Sequence, residues 1–363
     1  MTDFRNLYIH IPFCRGKCGY CAFYSEPVAE RPLQEKFLAA LAEQLKAFAP
    51  LLRRVRTVYF GGGTPSVLAP DLLEKLFGTV ADCAGLEPDA EITMEANPES
   101  VTEDVCRAAS GFINRVSMGV QSFSPRLLAA AGRRRSDPAA PLRALELWRK
   151  HGISNIGFDL MSSLPGETSS ELEADLKQAA AAGIRHLSVY SLMVEEGTPL
   201  AASGFQPDPD LAAEMWELTG GFLAAHGMPR YEISNYAPAA FEARHNQNVW
   251  HGETYLGLGP AASGFDGTDR FTNVSSLERW LRGEPPETDS IPREKRLREI
   301  FLMGLRTVRG WDRGEFLRAT GSPCDFPELA ELTAEGLLET ENGAVRATAR
   351  GLAFWNEIGL RLL

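Results

Sequence analysis

The sequence of 363 residues is short of basic side chains and has no long apolar run. No stretch approaches the ~18 consecutive apolar residues that a membrane-spanning helix needs, and the opening MTDFRNLYIH has no apolar signal-peptide core. Lys and Arg together number 37 against 48 Asp and Glu, so the net charge is -11 at pH 7. We therefore expect no integral membrane segment and a cytoplasmic location, and the acidic balance disfavours a nucleic-acid partner.

Cysteine is also scarce, with 6 residues in the chain, but half of them are crowded together. Cys14, Cys18 and Cys21 lie in the stretch YIHIPFCRGKCGYCAFYSE, directly after a candidate strand. Thiols stay reduced in the cytoplasm, so clustered cysteines indicate metal ligands rather than disulfides. The other cysteines are isolated, which predicts buried packing roles for Cys83, Cys106 and Cys324.

Short β-rich runs alternate with helical runs through the first two thirds of the chain. The candidate strands span 6–11, 57–62, 91–97, 115–122, 155–161 and 186–192. Alternation at a spacing of about 30 residues predicts βαβ units, a parallel sheet and the α/β class. Six units predict an open, partial (β/α)6 barrel whose functional residues lie at the C-terminal ends of the strands.

The pattern changes after residue 240. The stretch RGEPPETDSIPREK is rich in Gly, Pro and charge and predicts a linker. Beyond it, helices precede two short runs around Asn342-Gly343, which is a strong hairpin signal. We therefore expect three parts, 1–240, 241–290 and 291–363, the last resembling a winged helix. Its few basic residues favour a packing or lid role over DNA binding.

The spacing C-x-x-x-C-x-x-C offers three thiolates from one tight turn. A [4Fe–4S] cube usually takes four cysteine ligands, so three would leave one iron open for a substrate or cofactor. The alternatives are a structural zinc site and a chance cluster. Structural zinc requires four ligands, commonly as two separated pairs, and the sequence has no second C-x-x-C pair. The spacing therefore favours an iron–sulfur cluster.

The motifs CRGKCGYC and FGGGTPS, after the first and second strands, resemble those of the radical S-adenosylmethionine (SAM) superfamily. Further stretches follow the order found in its HemN/HemW group, namely YIHIPFC, EANPES, RVSMGVQSF, DLMSSLPGET, YEISNYA and RHNQNVWHG. That group comprises oxygen-independent coproporphyrinogen III dehydrogenases and related haem chaperones. The resemblance implies a [4Fe–4S] cluster on Cys14, Cys18 and Cys21, with SAM chelated to the open iron. It also implies an electron donor such as a flavodoxin or ferredoxin, and homolytic cleavage of SAM to a 5′-deoxyadenosyl radical after one-electron reduction.

The resemblance further implies a set of SAM contacts near the strand ends. Glycines 61–63 would let the backbone approach a ligand closely, with the SAM amino group beside Gly63 and Thr64. A carboxylate at Glu95 can accept hydrogen bonds from ribose hydroxyls or an ammonium group, and an arginine can pair with the SAM carboxylate. The implied contacts are Gly63, Thr64, Glu95, Gln121, Arg133 and Asp159, with Arg134 and Arg135 as rivals of Arg133. Tyr8 and Tyr20 flank the cysteine motif and would pack on the cluster or on the methionine part of SAM.

Two features favour the chaperone side of the group. The dehydrogenases carry a further cysteine two residues after the third, where this sequence has Phe23. They also have a long N-terminal extension before the cysteine motif, and we expect this chain to lack it. The resemblance thus implies a chaperone that delivers haem to target proteins. The alternative is a coproporphyrinogen III dehydrogenase, while radical modification of RNA or protein is disfavoured by the acidic charge.

The stretch RHNQNVWHG resembles the H-N-x-x-Y-W motif of the haem chaperones, whose histidine is implicated in haem binding. His245, Asn246 and Trp250 match the motif, and Val249 replaces its aromatic residue. The resemblance implies that His245 is an axial haem ligand, with Trp250 stacked beside the macrocycle. A structural loop histidine is the alternative for His245, and the neighbouring His251 is a rival ligand.

Overall fold

The computed structural model describes residues 3–28, 30–133 and 137–363. Its central feature is a sheet whose middle strands run parallel and in chain order, each βα unit laying its strand beside the previous one. The elements of this part are β1 (Asn6–Ile11), β2 (Phe13–Cys14), β3 (Glu26–Pro27), α1 (Arg31–Phe48), β4 (Val55–Gly62), α2 (Pro70–Cys83), β5 (Leu86–Ala96), α3 (Glu103–Ala109), β6 (Arg115–Gln121), α4 (Pro125–Ala130), α5 (Ala140–Lys150), β7 (Asn155–Ser162), α6 (Ser169–Ala181), β8 (His186–Ser191), α7 (Pro199–Ala202) and α8 (Pro209–Ala225).

The two faces of the parallel sheet differ in polarity because successive side chains of a strand point to opposite sides. On the outer face, Phe60 of β4 packs against Phe77 of α2 with ring centroids 5.2 Å apart. On the inner face, the preceding residue of the strand, Tyr59, donates a hydrogen bond to Glu95 of β5. The outer face forms the apolar core with the helices, and the inner face forms a polar lumen.

The helices bury one apolar face each. In α1, Phe37, Leu41 and Leu45 recur at the helical spacing of four residues and are fully buried. Helix α6 begins with a capping box, in which Thr168 and Glu171 satisfy each other's backbone N–H groups. Within residues 3–28, 30–133 and 137–363, no helix is both long and apolar enough to cross a membrane.

The expected strands are confirmed as β1, β4, β5, β6, β7 and β8, which form an open (β/α)6 arrangement. The sheet is larger than expected, because β10 pairs with β1 in parallel and three antiparallel strands follow, while β9 pairs with β8 at the other edge. The elements of this part are β9 (Asn235–Tyr236), α9 (Arg244–Trp250), β10 (Tyr255–Leu258), β11 (Ser263–Phe265), β12 (Arg270–Thr272), α10 (Leu277–Leu281) and β13 (Glu287–Asp289).

The linker expected over residues 282–295 is therefore wrong as a description of this stretch. Its middle forms β13, which pairs with β12, and a helix already begins at Arg293. The sequence did not predict this short strand, because its side chains are all exposed and polar and show no alternation of polar and apolar residues. The division into 1–240, 241–290 and 291–363 stays a prediction.

The C-terminal part has its own sheet and its own core, as a winged-helix-like domain requires. The three strands pair in the order β14-β16-β15 over a core that includes Phe301, Trp311 and Phe316. Asn342 and Gly343 both have positive φ angles, 52° and 84°, so the predicted hairpin is confirmed with a primed turn. The elements are α11 (Arg293–Leu305), β14 (Trp311–Asp312), α12 (Arg313–Thr320), α13 (Glu328–Ala334), β15 (Leu338–Glu341), β16 (Ala344–Ala347), α14 (Ala349–Ala353) and α15 (Trp355–Leu362).

Candidate functional site

The cysteine loop leaves the C-terminal end of β1 and is held by backbone hydrogen bonds to the next strand. Gly63 donates its N–H to the carbonyl of Ile11 at 2.8 Å, and Thr64 donates to that of Phe13, also at 2.8 Å. Within the loop, the N–H of Cys21 meets the carbonyl of Cys18 at 3.2 Å and closes a turn. All three loop cysteines are free and partly exposed. The loop is therefore a fixed platform that presents thiols at the mouth of the barrel.

The pKa values of Cys18 and Cys21 depend on the charge of the neighbouring cysteines. Burial raises the pKa of Cys18, while the nearby charge of Arg133 and a hydrogen bond with Tyr20 act in the opposite direction. Burial also raises the pKa of Cys21, and the neighbouring Cys18 and Cys14 raise it further. Three thiolates this close together repel one another, so a bound cationic centre would stabilise them.

The donor set fits an iron–sulfur cube. Among the residues that the structure describes, no three His, Cys, Asp or Glu side chains converge on one point as a single metal ion would need. A cube has no such requirement, because each thiolate binds a different iron. Beside the thiols lies a cavity of about 590 Å³, within the size range of small-molecule sites, whose lining includes Cys14, Cys18, Thr64, Asn97 and Arg133.

The packing of the protein itself requires the glycine run at the end of β4. A Cβ on Gly63 would stand 2.5 Å from the carbonyl oxygen of Phe13, and one on Gly62 would stand 2.5 Å from the His10 ring. A Cβ on Gly61 would meet the Glu95 carboxylate at 3.0 Å. The atoms that exclude a side chain from these positions belong to the cysteine loop, β1 and β5. The close approach of a ligand to these glycines stays a prediction.

Glu95 is held at the inner face of the sheet by two donors. The Tyr59 hydroxyl donates to Oε1 at 2.8 Å and the Gly62 N–H donates to Oε2 at 3.2 Å. Burial raises the pKa of Glu95 to about 7, although the hydrogen bond from Tyr59 favours the ionised form. The carboxylate is therefore poised to change its charge near neutral pH.

Asp159 lies two strands further along the lumen. Its carboxylate accepts hydrogen bonds from Ser117 at 2.9 Å and from Ser188 at 2.6 Å, and burial raises its pKa. On the strand between, Gln121 has a left-handed backbone with φ 70°, and its side-chain nitrogen folds back towards Gly119. Such a conformation in a residue other than glycine costs ~1–3 kcal/mol and tends to occur at functional sites.

Arg133 approaches the cysteine loop from the segment after α4. It is 7% exposed and donates to the Gly119 carbonyl at 2.8 Å and to the Glu99 carboxylate at 3.2 Å. Its Nε is sealed from solvent and has no hydrogen-bond partner among the described residues. An unpaired donor beside the cavity suits an incoming carboxylate. The rivals Arg134 and Arg135 lie outside the described residues.

His10 is not among the residues predicted from the sequence, yet it connects the parts of the site. Its Nδ1 is 3.1 Å from the Tyr8 hydroxyl and its Nε2 is 2.9 Å from the Tyr24 carbonyl oxygen. Tyr8 in turn stacks on Tyr59 with ring centroids 6.1 Å apart. The period of two along β1 puts Tyr8 and His10 on one face, and this signal could have revealed the pair.

His245 lies at the opposite end of the lumen from the cysteines. It is 6% exposed, its Nδ1 is 2.7 Å from the Thr57 hydroxyl, and Thr57 donates its own proton to Asn6. Nδ1 of His245 therefore carries the ring proton and Nε2 carries a free lone pair. The backbone N–H of His245 also donates to Glu91 at 3.0 Å, which anchors α9 beneath the barrel.

Trp250 and His251 are occupied by contacts with the C-terminal part. The Arg306 guanidinium lies 5.1 Å from the Trp250 ring centroid and pairs with the buried Glu232 at 2.6 Å. His251 faces carbonyl oxygens with both ring nitrogens, Gln247 at 2.9 Å and Gly310 at 3.2 Å. Trp250 is expected to stack on a macrocycle, and in this structure the Arg306 guanidinium lies over its ring.

A model of the radical SAM superfamily matches residues 8–179, and one of the HemN C-terminal domain matches residues 291–354. A heme chaperone HemW from Bacillus subtilis (strain 168) is 33% identical over 98% of this chain and 98% of its own. The Escherichia coli (strain K12) heme chaperone HemW is 34% identical over 97% and 96% of the two chains. From Mus musculus, the mitochondrial radical S-adenosyl methionine domain-containing protein 1 is 33% identical over 98% and 87%.

The fold also matches a solved structure. Coproporphyrinogen III oxidase (HemN) from Escherichia coli, described as a radical SAM enzyme, aligns with a TM-score of 0.85 over 99% of this chain and 90% of its own. Its sequence identity is 22%, so this likeness concerns the fold alone. Identity above 30% to full-length relatives goes further, and the chain belongs to the HemN/HemW group of the radical SAM superfamily, within the family of proteins named heme chaperone HemW.

Proposed function

We propose that this chain is a haem chaperone of the radical SAM type, which binds a [4Fe–4S] cluster, SAM and haem and delivers the haem to target proteins in the cytoplasm. The observation that carries the proposal is the family. Relatives named heme chaperone HemW match the chain over 97–98% of its length at 31–34% identity. A flavodoxin or ferredoxin is the kind of electron donor that would reduce the cluster.

Phe23 supports the chaperone over the dehydrogenase. It stands two residues after Cys21, where the dehydrogenase pattern has a further cysteine, and its side chain is 72% exposed. A phenyl ring can neither carry a proton nor bind iron. A reaction that needs a thiol at this position would therefore lack it in this chain.

The residues at the mouth of the barrel would hold the cofactors. Cys14, Cys18 and Cys21 would provide the thiolates of the cluster, and Arg133, which lines the adjacent cavity, would pair with the SAM carboxylate. Glu95 can accept hydrogen bonds from ribose or ammonium groups. A reduced cluster with SAM on its open iron supplies one-electron chemistry.

We expect SAM affinity to rise with pH from 6 to 8. Burial raises the pKa of Glu95 to about 7, so the accepting carboxylate forms as the pH rises through that value. Below it, the affinity should fall by up to ~10-fold per pH unit. Equilibrium dialysis of the reconstituted protein with labelled SAM measures this effect.

Two variants control the SAM measurement. Glu95→Gln should bind SAM weakly with little dependence on pH, which separates Glu95 from the titration of SAM itself. Asp159→Ala should lose ~10–100-fold in affinity, because a buried charge-assisted partner is removed. If Glu95→Ala and Asp159→Ala bind SAM as tightly as the parent, this placement of SAM is wrong.

Haem would be ligated through His245 at the other end of the lumen. Burial lowers the pKa of His245 to about 3, so its ring stays neutral near pH 7 and its Nε2 lone pair can bind iron. The hydrogen bond between Thr57 and Nδ1 fixes the orientation of the His245 ring, as hydrogen-bond partners do for histidines that bind metals. Since His245 is 6% exposed, haem ligation requires α9 to move away from the barrel.

Tyr59 connects the two ends of this arrangement. Its ring lies 5.2 Å from that of His245, and its hydroxyl donates to Glu95 at the SAM end. A change in the charge of Glu95 therefore alters a hydrogen bond of the residue that packs on the haem ligand. This contact offers a route by which SAM regulates haem binding.

The proposed function is tested by two anaerobic measurements on the reconstituted protein. Coproporphyrinogen III is supplied with SAM and a low-potential reductant, and haem is titrated in parallel. We expect no protoporphyrinogen, and we expect a Soret band that saturates with haem. Decarboxylation of coproporphyrinogen III at a rate tied to SAM cleavage would instead establish the dehydrogenase.

A further inference from the structure

Arg115 is a buried arginine without a counter-charge. It begins β6, is 2% exposed and lies on the inner face of the sheet. No carboxylate oxygen of the described residues lies within 4.0 Å of its guanidinium, and its Nε is sealed from solvent without a partner. Buried charges in proteins are normally paired, because an isolated ion in a low-dielectric interior is strongly destabilising.

The strands beside Arg115 leave further polar atoms unsatisfied. Thr93 of β5 and Asn155 of β7 are in register with Arg115, and the Thr93 hydroxyl and the Asn155 amide oxygen have no partner among the described residues. The Nδ1 of the buried His186, on β8, is unpaired as well. Turning the Asn155 amide about its axis would present its NH₂ group at the same place. Unpaired polar atoms on the three strands β5, β7 and β8 therefore accompany the unpaired Nε of Arg115 on β6.

The charge of Arg115 acts on several ionisable groups of the lumen. Burial lowers the pKa of His186 and of His245, and the charge of Arg115 lowers both further. Burial raises the pKa of Asp159, and here Arg115 acts in the opposite direction. Both histidines are therefore neutral and add no positive charge beside Arg115. Burial raises the pKa of Glu95 and of Asp159, which weakens the counter-charge that these two carboxylates supply to Arg115 from beyond 4.0 Å.

We propose that Arg115 binds a small monovalent anion, such as a halide, in the floor of the barrel. The guanidinium supplies the charge, and the Thr93 hydroxyl, the Asn155 amide and the His186 Nδ1 supply hydrogen bonds. A small anion supplies the counter-charge and the hydrogen-bond acceptor that the described residues do not provide here. It also removes the positive charge beneath Glu95 and Asp159, so its binding favours their protonated forms.

The test compares thermal midpoints of the full-length protein in about 0.2 M sodium bromide and in sodium gluconate at the same ionic strength. The parent should be stabilised by bromide relative to gluconate by about 2–4 °C, because the anion binds only the folded chain. Arg115→Met, which removes the charge and keeps most of the volume, should lose this difference. Arg230→Met is the matched control, since Arg230 is half-buried and satisfied by the carbonyls of Ile233 and Trp216.

Crystals grown in bromide supply the second measurement. An anomalous peak next to the Arg115 guanidinium is expected in the parent and in Arg230→Met. The parent alone decides the case if Arg115→Met fails to fold. Equal midpoints of the parent in the two salts, or only water in the density beside Arg115, would overturn the proposal.

Discussion

Replacing Cys14, Cys18 or Cys21 with Ala is expected to abolish the broad iron–sulfur absorbance of the reconstituted protein, together with its content of about four irons per chain. Each thiolate binds a different iron, so the loss of one leaves an iron without its protein ligand. The other cysteines cannot substitute: Cys106 and Cys324 are buried in apolar clusters, and Cys83 ends α2. Absorbance spectra with iron and sulfide analysis measure the loss.

The controls separate ligation from folding. Cys83→Ala, Cys106→Ala and Cys324→Ala should keep the absorbance. Gly63→Ala should lose much of it although no thiol is touched, because its Cβ would stand 2.5 Å from the Phe13 carbonyl and displace the loop. Gly16→Ala, in the same loop but with no atom within 4 Å of its Cβ, should retain the cluster. Stoichiometric zinc with no iron–sulfur spectrum after reconstitution would contradict the cluster.

Replacing His245 with Ala is expected to shift and weaken the Soret band of the haem-bound protein. The ring is neutral, its Nδ1–H is held by Thr57, and its Nε2 is free to bind iron, so its removal takes away an axial ligand. Thr57→Val should keep the type of band but weaken haem affinity by ~10–100-fold, because the hydroxyl that orients the ligand is lost. Haem titrations followed by absorbance distinguish the two effects.

His251 provides the comparison for His245. Both of its ring nitrogens face carbonyl oxygens, so His251→Ala should leave the Soret band unchanged. A residual band in His245→Ala that disappears in the double variant would instead identify His251 as a substitute ligand. Haem spectra that are indifferent to both histidines would reject ligation by this segment and favour the dehydrogenase.

Local patterns in the sequence were sufficient for the barrel and for the C-terminal hairpin. Short β-rich runs separated by helical runs predict β1 and the five strands from β4 to β8. Asn342-Gly343 predicts its turn because both residues tolerate positive φ angles. The extension from β10 to β13 was missed, because short strands at a sheet edge carry little alternation.

The site was less accessible to prediction, since its partners are distant in sequence. Glu95 depends on Tyr59, 36 positions away, and Thr57 orients His245 across 188 positions. The reason for the glycine run also lies in the packing of His10 and Phe13 against it, which no local pattern reveals. Such pairs are set by strand register, and register follows from the whole sheet.

The sequence by itself determined the succession of six β-rich runs along the chain and the presence of three clustered thiols. Both are local properties, since they depend only on residues that are close in sequence. Only the tertiary structure decided that His245 lies at the far end of the lumen from those thiols, with Tyr59 between them. Likewise, nothing in the sequence distinguishes Arg115 from any other arginine at the start of a strand. Its lack of a counter-charge became visible only when adjacent strands buried it, since desolvation of a charge depends on everything packed around it.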